Sequence, residues 1–273
     1  MAKKALNEMT FLDHLEELRW LLVRSSAAIV IMGIVSYFFA DYIFSDLIFG
    51  PTDPSFITYR FFCEASHYLG FADSICITEL NFIIQNTQME GQVNIFVWVC
   101  ITAGFILAFP YILWELWKFI SPALYEKEKK NAKLFIFVAS ILFFLGVLFG
   151  YYVIVPMSVN FLATFSISSV VKNQFSIDSY VSMVKTSVIA SGLFFELPVI
   201  IYFLTKLGLV TPSFLRKYRK YAIVIVLIIA AIVTPPDVVS QITVSIPMLL
   251  IYEGSIWISV FVEKNKKKDE HTS

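Results

Sequence analysis

The chain has 273 residues, 58% of them hydrophobic, 16% aromatic and 15% charged, and its 21 basic and 21 acidic residues cancel to a formal net charge of zero. A soluble domain is about 45–50% apolar and about 25% charged, so the composition excludes an ordinary water-soluble fold and predicts an all-α polytopic membrane protein. The zero balance says little about partners, and no nucleic-acid partner is expected; the placement of the charges says more.

Residues 1–9 read as a tail carrying Lys3 and Lys4, followed by Thr10-Phe-Leu-Asp13, a capping box that opens a helix. Leu15, Leu18 and Leu22 then fall on one helical face and Asp13, Glu17, Trp20 and Arg24 on the other. The run Trp20–Ala40 is too long for a signal-peptide core and has no small-residue cleavage site, so it reads as the first membrane span. Asp13, Glu16 and Glu17 suit the positive end of the helix dipole, which is a structural role in itself.

Residues 41–93 form a loop rich in carboxylates with Arg60 as its only base, and Gly50-Pro51 and Asp53-Pro54 mark turns in it. That asymmetry places the loop outside the cytoplasm, where Cys63 and Cys76 form a possible disulfide. Closing the loop between them stabilises by about 3 kcal/mol in the chain-entropy description. Cys100 lies in the second span and reads as a core residue.

The second span, Ile95–Trp117, ends in the basic segment Phe119–Lys130, with Lys118 and Lys133 beside it. Short Lys-rich loops stay in the cytoplasm, which fixes the orientation of the rest. Glu126 and Glu128 alternate there with lysines, either as a solvated mixed-charge loop or as carboxylates set for a cationic ligand.

The third span, Leu134–Val155, is expected to bend or stop at Pro156. The fourth covers roughly Thr186–Leu207 and carries Glu196 halfway along, where a carboxylate costs about 2.5–3.5 kcal/mol on insertion scales. Glu196 therefore makes a helix–helix hydrogen bond, meets a partner, or carries a proton. Glu115 and Glu253 read as interfacial or structural. The fifth run, Tyr221–Val233, reaches only about 20 Å as a helix, and the sixth, Ile242–Trp257, about 24 Å. Between them Thr234-Pro-Pro-Asp237 makes a turn, and a basic tail closes the chain.

Every base except Arg60, Lys172 and Lys185 falls on one side of this layout, which predicts six transmembrane helices with both termini inside and short fifth and sixth helices. The expected organisation is one membrane domain over 1–273, with an inner segment at 1–20, an external loop at 41–93 and a basic tail at 263–273. No nucleotide loop, metal cluster or catalytic triad is present in the sequence, so neither an enzyme nor a cofactor is expected.

Four segments resemble the TatC family of the twin-arginine protein translocase: Phe11-Leu-Asp-His-Leu-Glu-Glu-Leu-Arg19, Phe119-Ile-Ser-Pro-Ala-Leu-Tyr125 with Glu128, Phe195-Glu-Leu-Pro198, and Thr234-Pro-Pro-Asp-Val-Val-Ser-Gln241. They occur in family order, and the resemblance covers roughly 9–262. It implies a receptor in the bacterial inner membrane that binds twin-arginine signal peptides on folded cargo, driven by the proton motive force. Glu17 and Glu128 match the family's acidic signal-peptide residues, and Arg19 and Phe119 match neighbours that also matter. Glu196, Thr234 and Gln241 match its polar site for single-span partner subunits of the TatA and TatB type, and self-association in a receptor complex is implied as well. Guanidinium binds carboxylate through two parallel hydrogen bonds that ammonium does not reproduce, so paired carboxylates suit an Arg-Arg ligand. The loop at about 55–90 looks longer than the family's, and because it does not align, Pro51 reads, like Asp237, as a turn residue. A proton-coupled secondary transporter using Glu196 is the rival, and it predicts inverted repeats and paired broken helices.

Overall fold

A computed structural model of the chain describes residues 11–68, 76, 80, 82–121, 132–168, 172–234 and 238–272. In chain order its helices are α1 (Phe11–Phe38), α2 (Ile57–Tyr68), α3 (Gly91–Ile120), α4 (Ala132–Phe149), α5 (Val155–Thr164), α6 (Ile177–Phe194), α7 (Leu197–Lys206), α8 (Pro212–Lys217), α9 (Arg219–Val233) and α10 (Val238–Thr272). Five stretches are long and apolar enough to cross a membrane: His14–Phe38, Gly91–Ile120, Lys133–Thr164, Ile177–Lys206 and Ser240–Asn265. Helix α9 is the sixth apolar helix; its 15 residues reach about 22 Å. The described residues form two compact units, one of the chain up to Phe44 with Gln92–Ile141, the other of Ser45–Gly91 with the chain from Leu142 onward.

In the first unit α1 and α3 run antiparallel, Tyr37 meeting Phe96 and Gly33 meeting Cys100. A Cβ on Gly104 would lie 2.5 Å from the Ile29 carbonyl oxygen and 2.6 Å from the Gly33 nitrogen, so the backbones touch where only glycine fits. Cys100 is buried in this crossing and is a free thiol.

In the second unit the third span does not stop at Pro156. A π-turn, Gly150–Ile154, leads into α5, and the span runs on to Thr164. A proline deprives the carbonyl four residues earlier of its helical donor. That carbonyl belongs to Tyr152, and Thr58 Oγ1 of α2 donates to it at 2.7 Å. The third and fourth spans pack through small residues. A Cβ on Gly146 would come 2.6 Å from the Ser191 carbonyl, and one on Gly150 would come 2.7 Å from that of Ser187. Ser191 Oγ donates to the Gly146 carbonyl at 2.8 Å across the same seam.

The fourth span is broken rather than continuous, with Phe195 and Glu196 between α6 and α7. Pro198, in the first turn of α7, is the cause. Below the break, α7 packs on α10, where Thr205 and Ser259 hydroxyls meet at 2.8 Å and Tyr252 donates to the Leu215 carbonyl of α8. A core of Ile154, Phe194, Val226, Ala230, Val244 and Met248 joins the spans of this unit. The sixth apolar run lies within a longer helix, since α10 has 35 residues and its membrane-compatible stretch has 26. Helix-favouring Glu263 and Lys264 carry it past the apolar run.

The segment between the first two spans is folded. Gly50–Thr52 forms a tight 3₁₀ turn with Pro51 buried in it, and α2 follows. Tyr59 of α2 donates to the Pro51 carbonyl at 2.9 Å and to that of Pro156 at 3.2 Å, while Tyr180 donates to the Ile48 carbonyl at 2.7 Å. Burial pushes the Tyr59 phenol well above its ordinary range, which keeps it a donor. Cys63 of α2 is disulfide-bonded to Cys76. Strand β1 (Ile83–Gln85) pairs in parallel with β2 (Gln174–Ser176), Ile84 opposite Phe175.

Candidate functional site

At the N-terminal end of α1, His14 stacks on Phe119 near the end of α3, ring centroids 4.4 Å apart and planes 23° from parallel. Further along, Arg24 Nη1 lies 3.2 Å from Glu115 Oε2, and Lys118 Nζ lies 2.6 Å from Glu115 Oε1. Glu115 is only 3% exposed, so Arg24 is tolerated in an apolar helix because a buried carboxylate answers it. Aromatic faces hold the same cations: Arg19 and Arg24 flank Trp20 at 5.5 and 6.0 Å, and Lys118 sits 5.7 Å from Trp114. Arg19 also approaches Glu16, at 3.7 Å with both side chains largely exposed.

Glu17 lies between these two rungs. It is three residues after His14 and seven before Arg24, spacings that return to one helical face. It is half-buried, and among the described residues it has no ion-pair partner. Among the described residues, Arg19, Arg24 and Lys118 are engaged by Glu16 and Glu115, and Glu17 is in no ion pair. Glu128, the second expected carboxylate, lies outside the described residues, as do Glu126 and Asp237.

In the second unit Glu196 occupies the break of the fourth span at 6% exposure, and its Oε1 is buried with no hydrogen-bond partner among the described residues. Thr234 and Gln241 both turn onto carbonyls of α9: Thr234 Oγ1 donates to Ala230 at 2.8 Å and Gln241 Nε2 to Leu227 at 3.2 Å. No hydrogen bond joins Glu196 to either of them among the described residues. Thr234 also lines a largely apolar groove of about 460 Å³ with Ser179, Ser182, Met183, Thr186 and Ile232.

Reading Glu115 as interfacial or structural did not name its partners Arg24 and Lys118. Glu115 and Lys118 have the helical i, i+3 spacing of an ion pair, and an arginine in an apolar run calls for a buried partner, so both signals were available. The Gly146-x-x-x-Gly150 and Ser187-x-x-x-Ser191 spacings likewise mark the tight seam. Nothing local in sequence pointed to Tyr59 and Tyr180 as donors to distant carbonyls.

Residues 13–247 match the family model described as Sec-independent protein translocase protein (TatC). The chain is 44% identical over 269 residues to the Sec-independent protein translocase protein TatC of Blattabacterium, covering 97% of this chain and all of that one. It is 34% identical to TatCy of Bacillus subtilis, over 98% of this chain and 95% of that protein. A crystal structure titled as the twin-arginine translocase receptor TatC superposes with a TM-score of 0.71 at 32% identity, over 92% of this chain and 99% of that one. These likenesses fit the receptor and not the proton-coupled transporter. With its matching segments in order along a bundle of apolar helices, the chain belongs to the TatC family of Sec-independent protein translocase proteins.

Proposed function

We propose that this chain is the receptor subunit of a twin-arginine translocase, reading consecutive arginines of a signal peptide at the α1–α3 end. Glu17 carries the reading: a half-buried carboxylate without an ion-pair partner among the described residues, on the helix whose Arg19 and Arg24 are engaged by other carboxylates. A partly desolvated carboxylate in that state favours a guanidinium, which fits it through two parallel hydrogen bonds. Glu128 supplies the second carboxylate from the basic loop, the Phe119–His14 stack forms an apolar wall at the α1–α3 end, and Arg19 sets the rim. Family membership supports a membrane receptor rather than an enzyme, lying in the inner membrane with both termini in the cytoplasm. Glu196, Thr234 and Gln241 form the docking site for single-span TatA- or TatB-type helices, and receptor copies associate.

Equilibrium binding of an Arg-Arg signal peptide to the purified, membrane-reconstituted protein tests this. Glu17→Gln and Glu128→Gln are each expected to cost about 2–5 kcal/mol, the range for removing one partner of a desolvated charged pair. A Lys-Lys peptide is expected to bind weakly to the wild type. Wild-type affinity in both variants overturns the assignment.

A further inference from the structure

Glu115 matches none of the recognition positions named above, yet it is nearly inaccessible at 3% exposure and holds two cations at once. Those cations are not buried with it: the Arg24 and Lys118 side chains are 54% and 49% exposed. A sunken carboxylate gripping two half-solvated chains fixes where the cations point. Arg24 shares the helical stripe of Glu17, and Lys118 adjoins Phe119, whose ring is stacked on His14 one turn from Glu17. Both are long side chains on the two helices that meet at this end, and Lys118 has a flexible stem able to redirect its charge.

We propose that Glu115 is a positioning residue for ligand recognition: by engaging Arg24 and Lys118 it keeps both off Glu17, leaving that carboxylate open to the guanidinium of an incoming peptide. The inference rests on the reading of Glu17 above. It assigns Glu115 no ligand contact. A basic rim can then stand beside a site for a basic ligand without neutralising it. The Trp20 and Trp114 faces supply the other side of the hold on these cations.

Binding of a fluorescent Arg-Arg signal peptide to the full chain in nanodiscs decides the matter, with Glu17→Gln measured in parallel. Glu115→Gln is expected to weaken binding at least about tenfold, because the released cations compete for Glu17. The triple variant Glu115→Gln, Arg24→Gln, Lys118→Gln is expected to return to within about threefold of wild type, since the competitors are gone. A merely structural Glu115 lowers the thermal midpoint of the single variant in step with its binding, so a binding loss that tracks the midpoint overturns the proposal, as does a triple variant as weak as the single one. Wild-type affinity in Glu115→Gln beside a weakened Glu17→Gln overturns it too, while leaving the Glu17 reading standing. An unweakened Glu17→Gln removes both. Should Glu115→Gln not be recovered folded, the double variant Glu115→Gln, Arg24→Gln, which leaves Lys118 as the one released cation, decides against the triple variant: weaker binding in the double supports the proposal and equal binding overturns it.

Discussion

Glu196 is the residue on which docking and proton carriage make different demands. Its Oε1 is buried without a hydrogen-bond partner among the described residues, and leaving such an atom unmet costs about 1–3 kcal/mol. A polar group on a partner helix would answer it. Glutamine offers a donor and an acceptor of nearly the same shape, so Glu196→Gln is expected to keep site-specific crosslinks to single-span subunits. Glu196→Ala is expected to lose them, because the partner's polar group is then unpaired in hydrocarbon. Intact crosslinks with lost transport in the glutamine variant would shift the assignment to proton carriage. The carboxylate itself was plain in the sequence, as a charge inside an apolar run. Its place at a break in the helix was also written there, in Pro198 two residues on, but an apolar run read by hydropathy hides the kink.

Among the elements, the seam between the third and fourth spans places a tight demand on side-chain size. Gly146→Leu puts atoms where the Ser191 carbonyl and Gly192 already stand, and overpacking of that kind costs roughly 1–3 kcal/mol or more. Its thermal midpoint in detergent is expected to fall well below wild type. Gly254 provides the contrast: a Cβ there meets nothing within 4 Å, and the residue sits inside α10. Gly254→Ala is expected to be neutral or stabilising by about 0.4–1 kcal/mol, through the less flexible unfolded chain. A loss in Gly254→Ala as large as that in Gly146→Leu would show that the seam places no special demand on side-chain size. The long apolar helices were legible because hydropathy registers composition, whereas helix ends were not. α10 runs beyond its apolar stretch through charged residues that favour helix as well as water does.

For the molecule as a whole, orientation is the property to test, and the segment holding α2 is the handle. A membrane-impermeant maleimide applied to intact spheroplasts is expected to label Cys63 and Cys76 only after reduction, and Cys100 not at all, since the first two are bonded and the last is buried. Labelling without reductant excludes the bond in the cell; labelling only after lysis inverts the topology. The charge distribution carried the expected orientation in the sequence, because every base except Arg60, Lys172 and Lys185 falls in segments assigned to one side. What the sequence did not disclose is how the outer segment is folded. Its order comes from Tyr59 and Tyr180 reaching carbonyls far along the chain, and such contacts leave no periodic trace.

Those tyrosines have a consequence for a machine that works across a proton gradient. The bonds that tie α2 and the Gly50–Thr52 turn to the third and fourth spans run from hydroxyls of Thr58, Tyr59 and Tyr180 to main-chain carbonyls. None of these groups gains or loses a proton anywhere near neutrality, and burial moves the Tyr59 phenol further from doing so. These ties therefore keep their protonation state when the compartment around them acidifies.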